Sequence, residues 1–166
     1  MELLEIKGIF EMDCGSPSPI IISNDNELII AFYADKESSL SLSIPTERNM
    51  VHDTGIFALK FKRYLKYKFG LPGNETIQWH PYTKLGMKSF SFYELKDSNF
   101  IRELEDIEKK HPYYNSQKWN LYKHYILTFH DNMFECIAQD FEIRQENISL
   151  HNKIALILNE LSVKNS

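Results

Sequence analysis

Between His124 and Ile143 the chain reads HYILTFHDNMFECIAQDFEI, which gathers two histidines, a cysteine, two aspartates and two glutamates. Imidazole and carboxylate groups side by side can move protons or hold a metal, and a thiolate can attack carbonyl carbon. Whether they can act together depends on where a strand places them. A tight turn at Asp131-Asn132, two residues that tolerate the left-handed conformation, predicts a β-hairpin. Phe129 then faces Phe134, Thr128 faces Glu135 and Leu127 faces Cys136; a loop over 130–133 keeps the same register.

Strand alternation divides this hairpin into two faces. Tyr125, Leu127, Phe129, Phe134, Cys136 and Ala138 form a packing face. His124, Ile126, Thr128, His130, Met133, Glu135, Ile137 and Gln139 form a polar one. Cys136 and Glu135 therefore point to opposite sides, which excludes a Cys–His–Glu unit within the hairpin, and Cys136 reads as a small buried hydrophobe. His124 lies about 13 Å along the strand from Thr128 at ~3.3 Å per residue, so His124 and His130 cannot share one metal ion. His130 with Glu135 is left as an acid–base or ligand pair only if groups from elsewhere in the chain complete it. The favoured reading is structural: it makes His130, Asp131 and Asn132 the turn and pairs Glu135 across strands with Thr128.

Other polar groupings are weaker. His52-Asp53 repeats the dipeptide His130-Asp131, but no helical array of histidines surrounds either pair. Lys60, Lys62, Lys66 and Lys68 fall on one side of an extended 57–69, which reads as a solvated lysine face. Phe69-Gly-Leu-Pro-Gly-Asn-Glu75 lacks the Lys-Ser/Thr ending of a phosphate loop, and Cys14-Gly-Ser-Pro lacks the setting of a hydrolase elbow. Trp79-His80-Pro81-Tyr82 and His111-Pro112-Tyr113-Tyr114 are aromatic loops that could line a pocket or close over a core edge. No cofactor fingerprint is present, and no metal set is assigned.

The elements that must position these residues are ordinary. The 166 residues suit one domain, 1–166. Hydrophobic residues at 43% and charged residues at 25% fit a folded chain, and 13% aromatics suit a sheet-containing core. A net charge of −4 argues against a nucleic-acid binder and leaves a protein partner or small ligand open. The two cysteines are too few for a disulfide framework. MELLEIKGIF lacks signal-peptide character, and no apolar run approaches the ~20 residues of a membrane span, so a cytoplasmic chain with no membrane association is expected.

PIIISNDNELIIAFY (19–33) predicts a hairpin around Asn24-Asp25-Asn26, and 56–64 and 89–95 predict strands. Ser98 can cap a helix over about 98–110, ended by His111-Pro112, and Ser149 one over about 149–162. Strands dominate and the helices come late. The expected class is α+β, a mainly antiparallel sheet built from hairpins and packed by two helices.

One further pattern spans the second half of the chain. Phe69-Gly70, Pro72, Asn74-Glu75, His80-Pro81-Tyr82, Gly86, Glu94, Ser98 with Phe100-Ile101, His111-Pro112 and His124 through Ala138 together resemble a family of small uncharacterised bacterial proteins. The family pattern departs at Gly73 and Lys96-Asp97. The resemblance implies that the polar positions belong together and supplies no chemistry. If they form a site, Asn74, Glu75, Ser98 and His124 are the binding candidates. His130, Glu135, His80 and His111 are the catalytic ones.

Two readings of function follow. The first is a protein- or ligand-binding module, of which toxin-neutralising immunity proteins are an example by size and charge only. The second is a small hydrolase or metal-dependent enzyme using His80, His111, His130 and Glu135.

Overall fold

Runs of β-branched and aromatic residues form strands here, and the strands assemble into two antiparallel sheets. The computed structural model describes residues 1–15, 18–35, 55–146 and 149–163. His52-Asp53 lies outside the described residues.

The first sheet runs β1 (Glu2–Glu5), β7 (Phe92–Lys96), β8 (Lys123–Thr128), β9 (Met133–Ala138), β6 (Lys66–Gly70). The second runs β10 (Asp140–Glu146), β5 (Gly55–Lys62), β4 (Glu27–Asp35), β2 (Glu11–Met12), with β3 (Ile20–Ser23) also on β4. The predicted turn at 24–26 joins β3 to β4, where Asn24 Oδ1 accepts from the backbone N–H groups of Asn26 and Glu27. That side-chain acceptor substitutes for a backbone turn, which is why asparagine stands there.

The sheets face each other across an apolar core. Phe61 of β5 lies 5.5 Å from Phe134 and 5.6 Å from Tyr125, ring centre to ring centre, and Phe32 lies 5.4 Å from Phe129. The expected packing face, Tyr125 through Ala138, belongs whole to this core, and Cys136 within it is fully buried. Burial pushes its thiol well up, so it is held protonated and unreactive.

Helices cover the outer faces, giving an α+β architecture of mainly antiparallel sheets. α1 (Asn99–Glu108) packs Phe100 against Ile137 of the first sheet and Tyr122 just before β8, followed by the short α2 (Ser116–Trp119). α3 (Leu150–Val163) sets Ile154 and Ile157 on Ile29, Ala31, Ile56 and Ala58 of the second sheet. Leu158 of the same helix stands exposed. No helix among the described residues is long and apolar enough to cross a membrane.

The extended 57–69 is two strands in different sheets, not one lysine-bearing element. The chain turns at Arg63, whose φ is 49°, and passes from β5 to β6. β9 crosses to β10 at the same level, with the Gln139 N–H donating to the Lys62 carbonyl. The lysines are thus parted: Lys60 pairs with Glu27 at 2.6 Å and Lys62 with Glu142 at 3.0 Å, while Lys68 goes to the outer face of the first sheet.

The FGLPGNE turn docks on the tip of the 124–138 hairpin, where the Asn74 N–H donates to the His130 carbonyl at 2.6 Å. A Cβ on Gly73 would stand 2.8 Å from that carbonyl oxygen and 2.9 Å from the Asp131 backbone. Backbone cannot rotate aside as a side chain can. Gly73→Ala is expected to destabilise by about 1–3 kcal/mol, as overpacking does. Urea unfolding checks it, and a neutral result would mean that the turn does not dock.

Candidate functional site

The hairpin that carries the chemistry keeps its predicted faces but not its register. Thr128 pairs with Met133, Leu127 with Phe134, Ile126 with Glu135 and Tyr125 with Cys136. The loop is Phe129–Asn132, closed by the Phe129 N–H donating to the Asn132 carbonyl at 2.8 Å. This is a slip of two residues from a turn centred on Asp131-Asn132. An even slip preserves which side chains share a face. It nevertheless changes their neighbours.

Thr128 is held from a distant part of the chain. Its hydroxyl donates to the Lys88 carbonyl and accepts from the Ser91 N–H, both at 2.9 Å. Glu135 accordingly meets His124, not Thr128 and His130. His124 pairs directly with Ile137, which makes Glu135 its diagonal neighbour, within reach of a long side chain.

The face expected to be polar surface is a second interior. Ile126, Met133 and Ile137 pack outward under the 3-10 turns at 77–85 and under α1. Into this layer are set Ser98, His124 and Glu135, exposed by only 2%, 0% and 7%. Ser98 caps α1, its Oγ accepting from the Ile101 N–H at 3.4 Å, and lies 2.7 Å from His124 Nδ1. His124 Nε2 lies 3.0 Å from Glu135 Oε2, yet it has no aligned hydrogen-bond acceptor, so that contact runs off the N–H axis. An ionised carboxylate can only accept, which places hydrogen on Nε2. In the neutral ring, the Ser98 hydroxyl then donates to the bare Nδ1.

Aromatic rings close this cluster. Phe100 stands edge-on to His124 at 5.5 Å and Tyr82 at 6.4 Å, with His80 4.6 Å from Tyr82. Lys68 Nζ sits 3.8 Å from Glu135 Oε1 and 3.8 Å from the centre of the Phe100 ring. Burial pushes the Glu135 carboxyl up, but the close approach of the His124 imidazole at 3.0 Å, then Lys68 and His80, outweigh it and hold the carboxyl below its usual range. Burial likewise holds the His80 imidazole below its ordinary value, against the pull of Glu135.

A folded-state pKa below the unfolded one stabilises the fold above the unfolded value and loses that contribution as pH falls through the folded value. Glu135→Gln is therefore expected to lower stability by about 1–3 kcal/mol at pH 7. The gap should close as pH falls below about 4. Urea unfolding at pH 7 and pH 3 measures this; the same gap at both would show that the carboxylate is unpaired.

The remaining candidates are dispersed. His80 joins the cluster's rim, its Nδ1 accepting from the Tyr82 N–H at 3.3 Å at the start of a 3-10 turn. His130 lies exposed at the hairpin tip, with Nδ1 2.8 Å from its neighbour Asp131. His111 is exposed in the loop after α1, where its Nδ1 accepts from the Tyr113 N–H at 3.2 Å. Asn74 accepts from Ser89 beneath the hairpin tip, and Glu75 is exposed. So Ser98, His124, Glu135 and His80 belong together, and His111, His130, Asn74 and Glu75 do not join them. Among the described residues no three acidic, histidine or cysteine side chains are placed to hold a metal ion.

Ser98, His124 and Glu135 form a serine–histidine–carboxylate series, but its chemistry is blocked. No open surface reaches Ser98 or His124, and the Ser98 oxygen is committed to the helix cap. The ring is also reversed relative to a hydrolase triad, where the nucleophile meets Nε2 and the carboxylate meets Nδ1.

A different surface is open. Leu104 and Ile107 of α1, Tyr113 and Tyr114 of the connecting loop, and Trp119 and Tyr122 at α2 wall a groove of about 330 Å³. Glu108 and Lys118 stand on its α1 and α2 sides. That volume is in the range of small-molecule sites. A second concavity of similar volume lies between 5–12 and 90–92, but its Phe10 and Phe92 rings stack into the main core. Tyr113 and Tyr114 were visible in the sequence as an aromatic loop, whereas their pairing with Trp119 and Tyr122 depends on how α2 folds back.

No protein-family model, curated protein or solved structure matches this chain.

Proposed function

We propose that this chain is a binding module, acting on a protein partner or small ligand through the α1–α2 groove, and not a catalyst. The observation that carries the reading is the groove itself: an open recess walled by four aromatic side chains, with a carboxylate and an ammonium at its sides. Such walls and a few placed polar groups are what recognition sites share. The buried His124–Glu135 pair supports the same reading from the other side, since a substrate has no route to it. A cytoplasmic bacterial protein, related to the family that residues 69–138 resemble, is consistent with this role. An immunity-protein-like function rests on size and charge analogy alone.

The test uses Trp119 as reporter. Trp79→Phe removes the other tryptophan, which is 73% exposed and so dispensable to packing. Titrating this variant with a panel of small aromatic, apolar and charged compounds is expected to give saturable changes in Trp119 emission. A silent panel, with measurable turnover in hydrolase assays, would overturn the proposal.

A further inference from the structure

We propose that the ligand of the α1–α2 groove is a small organic cation, a quaternary or substituted ammonium group held against the Tyr113, Tyr114 and Trp119 rings with Glu108 as counter-charge. This deepens the binding reading and rests on it.

The rings are positioned for such a ligand. Trp119 and Tyr122 support each other at 5.8 Å between ring centres, and Tyr122 is 9% exposed, so this wall is fixed by the core. The Tyr114 hydroxyl donates to Glu105 at 2.5 Å, which orients its ring from the opposite wall. Tyr113 is 89% exposed in the groove lining, with its ring 5.7 Å from that of His111. Aromatic faces carry negative quadrupole density and attract a cation, most strongly one with a weakly held water shell.

The charges agree with the rings. The groove lies at the C-terminal end of α1, the end at which the aligned peptide dipoles leave a partial negative charge. Glu108 lines it and takes part in no ion pair among the described residues, whereas the nearby Asp106 is held by Lys109 at 2.7 Å. Lys118 is the basic residue of the lining; it is exposed on the α2 side and stays solvated. An anionic guest would meet the ring faces, the helix end and Glu108 together. A bare metal ion would gain little from the rings, because it holds its water too tightly. The chain's net charge of −4 adds a weak attraction of the same sign.

Calorimetric titration of the full chain with choline, and with its uncharged isostere 3,3-dimethylbutan-1-ol, separates the outcomes. Choline is expected to saturate, with the isostere bound about tenfold or more weakly, because it lacks the charge. Glu108→Gln and Tyr113→Ala, both at exposed positions, should each weaken choline about three- to tenfold, and Glu108→Gln should leave the isostere unaffected. Equal affinity for the two compounds, or a Glu108→Gln variant that binds choline as well as wild type, overturns the cation while leaving the groove as a binding site. Failure of both compounds together with a silent fluorescence panel overturns the binding reading as well.

Discussion

Phe134→Ala is expected to destabilise the fold by about 3–5 kcal/mol, the range for buried aromatics truncated in a core. Phe134 is completely buried on β9, 5.5 Å from Phe61 of the opposite sheet and 6.1 Å from Tyr67 of the neighbouring strand. It thus links three strands across the sandwich. Removing its ring forfeits the transfer energy of the lost atoms, and a cavity is left because two sheets held by other contacts cannot collapse into it. Chemical denaturation of the variant measures the cost. A change below about 1 kcal/mol would show that the ring is not between the sheets, and the hairpin faces would have to be exchanged.

His124→Ala is the second large effect, expected at about 3–5 kcal/mol near neutral pH. The substitution deletes a ring packed against Phe100 and removes the nearest partner of the Glu135 carboxylate. Lys68, at 3.8 Å and half exposed, offsets only part of that loss. Ser98 keeps its capping bond to Ile101 but loses the imidazole that ties the start of α1 to β8. Amide exchange at Ile101 and Arg102 should therefore quicken more than exchange in α3. Uniform acceleration, or a stability change below about 1 kcal/mol, would contradict a closed cluster that anchors α1.

The two faces of the 124–138 hairpin were legible because strand alternation is strictly local. The turn position was not. Asp131-Asn132 has the local chemistry of a tight turn, but Thr128 is fixed by Lys88 and Ser91, some 40 residues away, and the loop opens to Phe129–Asn132. Two residues of slip move Glu135 about 6.6 Å along the strand at ~3.3 Å per residue, enough to exchange His130 for His124 as its partner. Nor could alternation tell that both faces are buried. Ile126, Met133 and Ile137 hint at it, but the cover comes from 77–85 and α1, far from the hairpin in sequence. Ser98 was readable as a cap from its place before Asn99-Phe100-Ile101, and its bond to His124 was not, since it joins two elements 26 residues apart.

The lysine stripe failed for a related reason. Its alternation is genuine, but nothing in KFKRYLKYK marks Arg63 as the corner where the chain leaves one sheet for the other. Corners depend on the second ribbon, β9 to β10, turning at the same level.

The measurement that bears most directly on the central claim is an amide NMR titration of the full chain with choline. Recognition at the α1–α2 groove predicts shifts confined to Leu65 and to residues 104–122, with the amides of His80, Ser98, His124 and Glu135 unmoved. Shifts centred on those four residues, or on the hairpin tip at His130, would contradict the account and return the histidine–glutamate cluster to the centre of its function.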